Sequence, residues 1–261
     1  MSGVHTASAA PRGLRSAGRD GARRARASAP RAGRPLGVAG LCLIGLALTW
    51  MVAALVPGGR FKDAVALHDF TLLSHTHASM LAEGVLALLH GPLYLVWALI
   101  VIGVALLRGR PRVALAAGLV MALTPVSAEA LKPLLAHSHA HVDAVTVGPA
   151  SWPSGHASAA LALALCAVLV TPAARRPLVV VLGAAFALAV GCSLLILAWH
   201  MPSDVIGGYL LASLWMALAV AALRGADRRW PRGRRERRGV ASGRGAALGS
   251  GLGVVGARLP Q

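Results

Sequence analysis

A chain of 261 residues that is 56% hydrophobic, only 13% charged and has a mean hydropathy of +0.66 is too apolar for a soluble domain of its size. Its formal charge of +17 suggests a polyanion partner, but 18 of the 26 Lys and Arg residues lie in two Gly/Ala/Arg-rich tails with Trp230 as their one aromatic residue. That pattern disfavours nucleic acid and fits tails lying against anionic lipid headgroups. In chain order, a basic disordered tail is expected over 1–35, a membrane core over 36–223 and a second basic disordered tail over 224–261.

Within the core, apolar stretches recur at Leu36–Val56, Val85–Leu107, Val113–Leu131, Gly155–Val170, Leu178–Trp199 and Asp204–Leu223. Most approach the roughly 20 residues needed to cross about 30 Å of hydrocarbon. The expectation is an all-α, polytopic bundle of six transmembrane helices, with the first span retained rather than cleaved as a signal peptide. Gly58–Gly84 mixes Asp63, His68, Asp69, His75, His77 and Glu83 with regular apolar positions, as an interfacial helix between spans one and two would. Pro133, Gly148 and Pro149 argue against a long helix between Lys132 and Pro153. Pro202 suits the first turn of the last helix, where Ser203 or Asp204 can accept its N–H groups. Cys42, Cys166 and Cys192 lie inside apolar stretches without CxxC spacing and are expected to be buried small hydrophobes.

Charge orients the spans. Of the 26 cations, 23 fall in the two tails and the Arg108–Arg112 and Arg175/Arg176 loops, all on one side of a six-span arrangement. The other side keeps Arg60, Lys62 and Lys132. By the positive-inside rule the protein is a multi-pass protein of the cell membrane with both termini cytoplasmic. Lys132, His137, His139, His141, Ser154, His156, His200 and Asp204 then gather on the extracytoplasmic side, where ionisable groups near hydrocarbon point to function.

Those residues are the equipment for phosphoryl transfer. In-line displacement at phosphorus needs a nucleophile, an acid for the leaving group and donors for the charge that builds on the equatorial oxygens. Neutral His200 can attack phosphorus, and Asp204, one helical turn on, can accept its other N–H and fix the tautomer. His156 can protonate the leaving alkoxide and later activate water. Ser154 and the backbone N–H groups of Gly155 and His156, opening a helix, form an anion cradle to which Lys132 adds a positive charge.

The sequence Pro153-Ser154-Gly155-His156, followed by Ser193, His200 and Asp204 in register and preceded by Lys132, resembles the type 2 phosphatidic acid phosphatases, membrane histidine phosphatases with a six-helix core. The family pattern is Lys, six residues, Arg-Pro; then Pro-Ser-Gly-His; then Ser-Arg, five residues, His, three residues, Asp. The chain departs from it at His139-Ala140, in place of Arg-Pro, and at Leu194, in place of the second Arg. The resemblance spans about Leu36 to Leu223 and implies metal- and cofactor-free hydrolysis of a lipid-linked phosphate monoester or diphosphate through a phospho-histidine. His139, protonated, would restore part of the missing charge at mildly acidic pH, though without a bidentate fork. Alternatively, His137-Ser138-His139-Ala140-His141 is an exposed polar loop, or with Asp143 a metal site. Two missing arginines also fit a weakened or inactive member that binds lipid phosphates, and a His-rich metal-binding or transport protein is a further alternative. His5, His68, His75, His77 and His90 are expected at the surface or headgroup level, and Trp152 and Trp199 in an interfacial aromatic belt. Oligomeric state is open.

Overall fold

A computed structural model describes residues 33–229 apart from 76, 141 and 144. Most of both basic tails, with His5, His141 and Trp230, lies outside the described residues. The helices are α1 Gly33–Leu55, α2 Pro57–Thr71, α3 Ala78–Ala87, α4 Gly91–Leu107, α5 Pro111–Leu134, α6 Gly155–Val170, α7 Arg176–Ile196 and α8 Pro202–Arg229, with short 3-10 turns at Leu72–His75 and Ala173–Arg175. Among the described residues the only β feature is an isolated bridge between Val142 and Val145, so the chain is all-α.

Proline sets many of the boundaries. Pro57, Pro92, Pro111 and Pro202 each stand in the first turn of a helix, where a missing N–H costs nothing. The second apolar stretch is not one helix as expected. Its helical part starts at Ala78, breaks at Leu88–His90 and resumes at Gly91-Pro92, with α3 and α4 bent by 56° from one another. Pro92 lacks the N–H that a continuous helix would use, and His90 sits in extended backbone as the N-cap of α4. Pro133, by contrast, does not end α5: both it and Pro125 lie inside that helix, and the loop begins only at Leu135. At the other end of the core, α8 continues past Leu223 to Arg229.

Among the described residues four segments are long and apolar enough to cross a membrane: α1, α5, Ala173–Ile196 and α8, with the bent α3–α4 pair as a fifth if it counts as one span. α6 is apolar but has only 16 residues. These helices expose large apolar side chains, among them Leu41, Leu107, Val181 and Leu188, as a lipid-facing surface does.

α6 is the central post, packed against α4, α5, α7 and α8. Its buried positions are nearly all small, from Ala157 through Ala164 to Cys166, so neighbouring backbones approach closely. α1 lies along α8, and α2 crosses back to touch α1, α7 and α8. One apolar cluster, with Leu67, Leu86, Val190, Leu194, Met201 and Val205, supports the end of the bundle where α6 and α8 begin. A second, around Val113, Val120, Cys166 and Ala212, fills the other end. Cys42 and Cys166 are buried, whereas Cys192 is exposed on α7.

Candidate active site

Ser154 is the N-cap of α6. Its extended backbone (φ −66°, ψ 121°) lets its Oγ accept the Ala157 N–H at 3.3 Å, while its carbonyl accepts the first intrahelical bond, from Ser158 N–H at 3.1 Å. The Ser154 N–H donates in turn to the carbonyl of Asp204 at 2.9 Å. The N–H groups of Gly155 and His156 open the helix, where no preceding turn supplies acceptors and the helix dipole is positive. Gly155 is needed for proximity: a Cβ there would stand 2.7 Å from Glu129 Oε1 and 4.0 Å from Lys132 Nζ. Lys132 Nζ and Glu129 Oε1 are themselves 2.7 Å apart, so the last turns of α5 hang an ion pair directly over the opening of α6.

His200 is delivered by the way α7 ends. Ala198 adopts a left-handed conformation (φ 52°), with Ala198 N–H donating to Leu195 O and Trp199 N–H to Leu194 O, the paired bonds of a Schellman stop. The reversal brings His200 to the start of α8. There Asp204 Oδ2 accepts the Met201 N–H at 2.9 Å and lies 3.4 Å from His200 Nδ1, at the long end of hydrogen-bond range. With the proton on Nδ1, the opposite nitrogen, Nε2, carries the lone pair. Asp204 is fully buried and His200 is 8% exposed, so their interaction is little screened by water.

Lys132, Ser154, Gly155, His156, His200 and Asp204 therefore meet at one end of the bundle. His156 is in electrostatic range of His200, Lys132, His90 and Glu129, and its ring meets the Trp199 indole edge-on at 5.8 Å between centroids. His90 reaches this group because the α3–α4 break presents it there. His139 is held in the α5–α6 loop: its Nε2 is 3.0 Å from Ser151 Oγ, and its ring is 4.7 Å from that of His137, which also meets Trp50. Among the described residues no three His, Cys, Asp or Glu side chains gather into a cation site.

One expectation is corrected by packing, and one departure from the family pattern is accounted for by it. Trp152 is not in an aromatic belt but only 3% exposed, wedged against Gly207 of α8 and clustered with Leu46, Ala128 and Leu211. Trp199, about half exposed, is the aromatic at the rim. Leu194 is fully buried in the apolar cluster under the site, so its position delivers hydrophobic support and no phosphate ligand.

Sequence reasoning also passes over Asp63 on α2. Its Oδ1 accepts the Ser203 N–H at 3.0 Å and its Oδ2 the Ser203 hydroxyl at 2.6 Å. Burial pushes the Asp63 carboxyl above its ordinary range, the nearby Asp204 charge adds to this, and the two Ser203 bonds and His137 oppose it. A carboxyl raised in the folded state binds its proton more readily there than when unfolded, so its contribution to stability is fullest at low pH and is lost as the pH rises through its folded value. Its only sequence signal is a place among apolar residues in the Gly58–Gly84 interval.

An imidazole oriented by a carboxylate, a second imidazole across from it, a lysine and the first N–H groups of a helix can together handle a phosphoryl group. Comparison with known proteins leads the same way. No curated protein matches the chain. In overall shape the chain is similar to the crystal structure of a transmembrane PAP2-type phosphatidylglycerolphosphate phosphatase from Bacillus subtilis, with a TM-score of 0.61 and 20% identity over 77% of this chain and 98% of that one. At that identity the likeness speaks for the fold. Residues 93–228, just over half of the sequence and including all six residues gathered at the site, match the PAP2 superfamily, and the chain belongs to that family.

Proposed function

We propose that the protein is a membrane phosphatase that hydrolyses a lipid-linked phosphate monoester or diphosphate through a phospho-histidine, without a metal. The observation that carries this reading is the His200–Asp204 couple facing His156 at the opening of α6. His200 Nε2 attacks phosphorus, the leaving oxygen departs with a proton from His156, and His156 then takes a proton from the water that cleaves the phosphorus–nitrogen bond. Asp204 holds the His200 tautomer and stabilises its cationic phosphorylated form. The Gly155 and His156 N–H groups, the Ser154 turn and Lys132 meet the oxygens of the phosphoryl group, with His139 as a weaker substitute for a missing arginine. For Lys132 to serve, the incoming phosphate takes over the position that Glu129 holds beside it.

Six spans, counting the bent α3–α4 pair and the short α6, put the 23 clustered cations on the cytoplasmic side and the site on the outer side of the cell membrane. The tails then lie on anionic headgroups of the inner leaflet, flanking a core of about 36–223. Phosphate release by the purified full-length protein from phosphatidate, phosphatidylglycerol phosphate and polyprenyl diphosphate, with and without a chelator, tests the reading. Turnover that survives chelation supports it, and metal-dependent turnover removes the mechanism. Labelling of His139→Cys in intact cells tests the orientation, and modification only after the membrane is breached overturns it.

A second reading has its own observation. The two positions where the family carries arginine hold a buried Leu194 and a His139 engaged by Ser151. A lipid-phosphate binding protein with residual hydrolysis fits that pattern, and lipid binding without phosphate release would favour it.

A further inference from the structure

The fully buried Asp204 has little of its own to fix where its carboxylate points. Oδ2 serves both the Met201 N–H and His200 Nδ1, and among the described residues Oδ1 has no hydrogen-bond partner. Its direction is therefore inherited from the backbone of the first turn of α8. Two contacts from elsewhere in the chain clamp that turn. One is Ser154 N–H on the Asp204 carbonyl. The other comes from 140 residues away: Asp63 on α2 accepts both the N–H and the hydroxyl of Ser203, the residue next to Asp204.

We propose that Asp63 is a positioning residue for the His200–Asp204 couple, a carboxylate carried by α2 that caps the first turn of α8 and so holds Asp204 in register with His200. The proposal builds on the phosphatase reading for its kinetic consequences but on the hydrogen bonds alone for its geometry. α2 is well placed for the task, since Leu67 roots it in the apolar cluster that also holds Met201 and Val205. Two acceptor oxygens match two Ser203 donors, which neither a hydroxyl nor an apolar residue can do. The charged groups acting on Asp63 are Asp204 from α8 and His137 from the α5–α6 loop. Here both carboxyl oxygens are used, Oδ1 by the Ser203 N–H and Oδ2 by its hydroxyl.

The test uses the full-length protein in lipid nanodiscs, with dioctanoyl phosphatidate as substrate and Asp63→Ala, Asp63→Asn and Ser203→Ala as variants. Misplacing a catalytic group by an ångström commonly costs on the order of 10²-fold, so Asp63→Ala should lower kcat about 10- to 100-fold with KM within about twofold of wild type. Asp63→Asn, which keeps one acceptor for the Ser203 N–H, should recover kcat to within about threefold, since a retained cap acceptor preserves most of the cap. A second readout does not depend on turnover: histidine nitrogen NMR, with His200→Gln identifying the resonance, should find the Nδ1–H tautomer in wild type and a mixture in Asp63→Ala. Wild-type kcat and tautomer in Asp63→Ala, a change confined to KM, or equal damage by Ala and Asn would each overturn the proposal. If Asp63→Ala does not fold, Ser203→Ala decides: a lower kcat with a mixed tautomer supports the role, and no change in either refutes it. If wild type releases no phosphate, the phosphatase reading fails on its own and the tautomer comparison still decides for or against Asp63.

Discussion

Ser154 gives its backbone N–H to the carbonyl oxygen of Asp204 across 2.9 Å, which makes the turn that opens α6 and the first turn of α8, the proposed phosphate cradle and the seat of the proposed nucleophile's partner, one mechanical unit. The seam has no slack at Gly208, where a Cβ would stand 2.6 Å from Ser154 O and 3.0 Å from Ser158 N. Gly208→Ala must therefore push α8 off α6, at about 1–3 kcal/mol, as overpacking of a filled interface does. Activity should fall at least tenfold. Gly225→Ala, on the same helix with nothing within 4 Å, is the control: it should leave the rate in place and, if anything, raise stability by up to about 1 kcal/mol, as alanine does in a helix interior. Melting and kcat of the two variants side by side check the point.

His200→Ala removes the only atom assigned to attack phosphorus, so turnover should vanish. His156→Ala should still permit slow phosphorylation of His200 by substrates with a good leaving group, because such a group needs less protonation than the nucleophile needs to exist. Asp204→Asn should keep the fold and lose most of the rate through tautomer control. Rapid-quench trapping of labelled phosphoenzyme measures all three. Equal residual turnover in the two histidine variants would reverse or erase the assigned roles.

If His139 substitutes for a family arginine, it helps only when protonated, and activity should climb as the pH falls and imidazole gains a proton. His139→Arg should flatten the climb and raise the rate at neutral pH, since guanidinium keeps its charge there. Leu194→Arg should not add to it: that site lies within apolar packing, and an unpaired guanidinium there should destabilise the protein by several kcal/mol. A pH–rate profile of His139→Arg that overlays the wild type would leave the second, weakly hydrolytic reading as the better one.

Ala198 sits left-handed at a position that glycine occupies without strain. Ala198→Gly should raise stability by roughly 1 kcal/mol, and Ala198→Val should lower it by more, because β-branching is worse tolerated at positive φ. Denaturation in mild detergent measures both. A destabilised glycine variant would mean that the turn is not held as described.

The site's local parts are legible in sequence because they are short-range. Ser154 as an N-cap, His200 and Asp204 one turn apart and Pro202 opening α8 each follow from spacing and backbone chemistry. Long-range consequences are not. Pro92 could open a helix or merely sit in a span, and only packing of α3 on α7 decides for the break that brings His90 to the site. Pro133 reads as a helix breaker, yet it lies in the final turn of α5. Trp152 looks like a headgroup position from its motif and Leu194 stands where the family has an arginine, but the burial of both is fixed by partners such as Gly207 and Val190 that the local pattern does not reveal. Asp63 is the clearest case, since nothing near it in sequence anticipates Ser203.

The shortness of α6 has a bearing on how a lipid meets water. At 1.5 Å per residue its 16 residues measure about 24 Å, roughly 6 Å less than the hydrocarbon layer. On the six-span reading, His156 at its opening lies below the headgroup plane instead of on it. A phosphate anchored to acyl or prenyl chains then reaches the histidines by tilting inward along the protein wall, without leaving the bilayer. The water that completes the reaction descends the same few ångströms past Trp199. Turnover should thus respond to bilayer thickness, falling as longer-chain lipids lift the headgroups away from the recessed histidines.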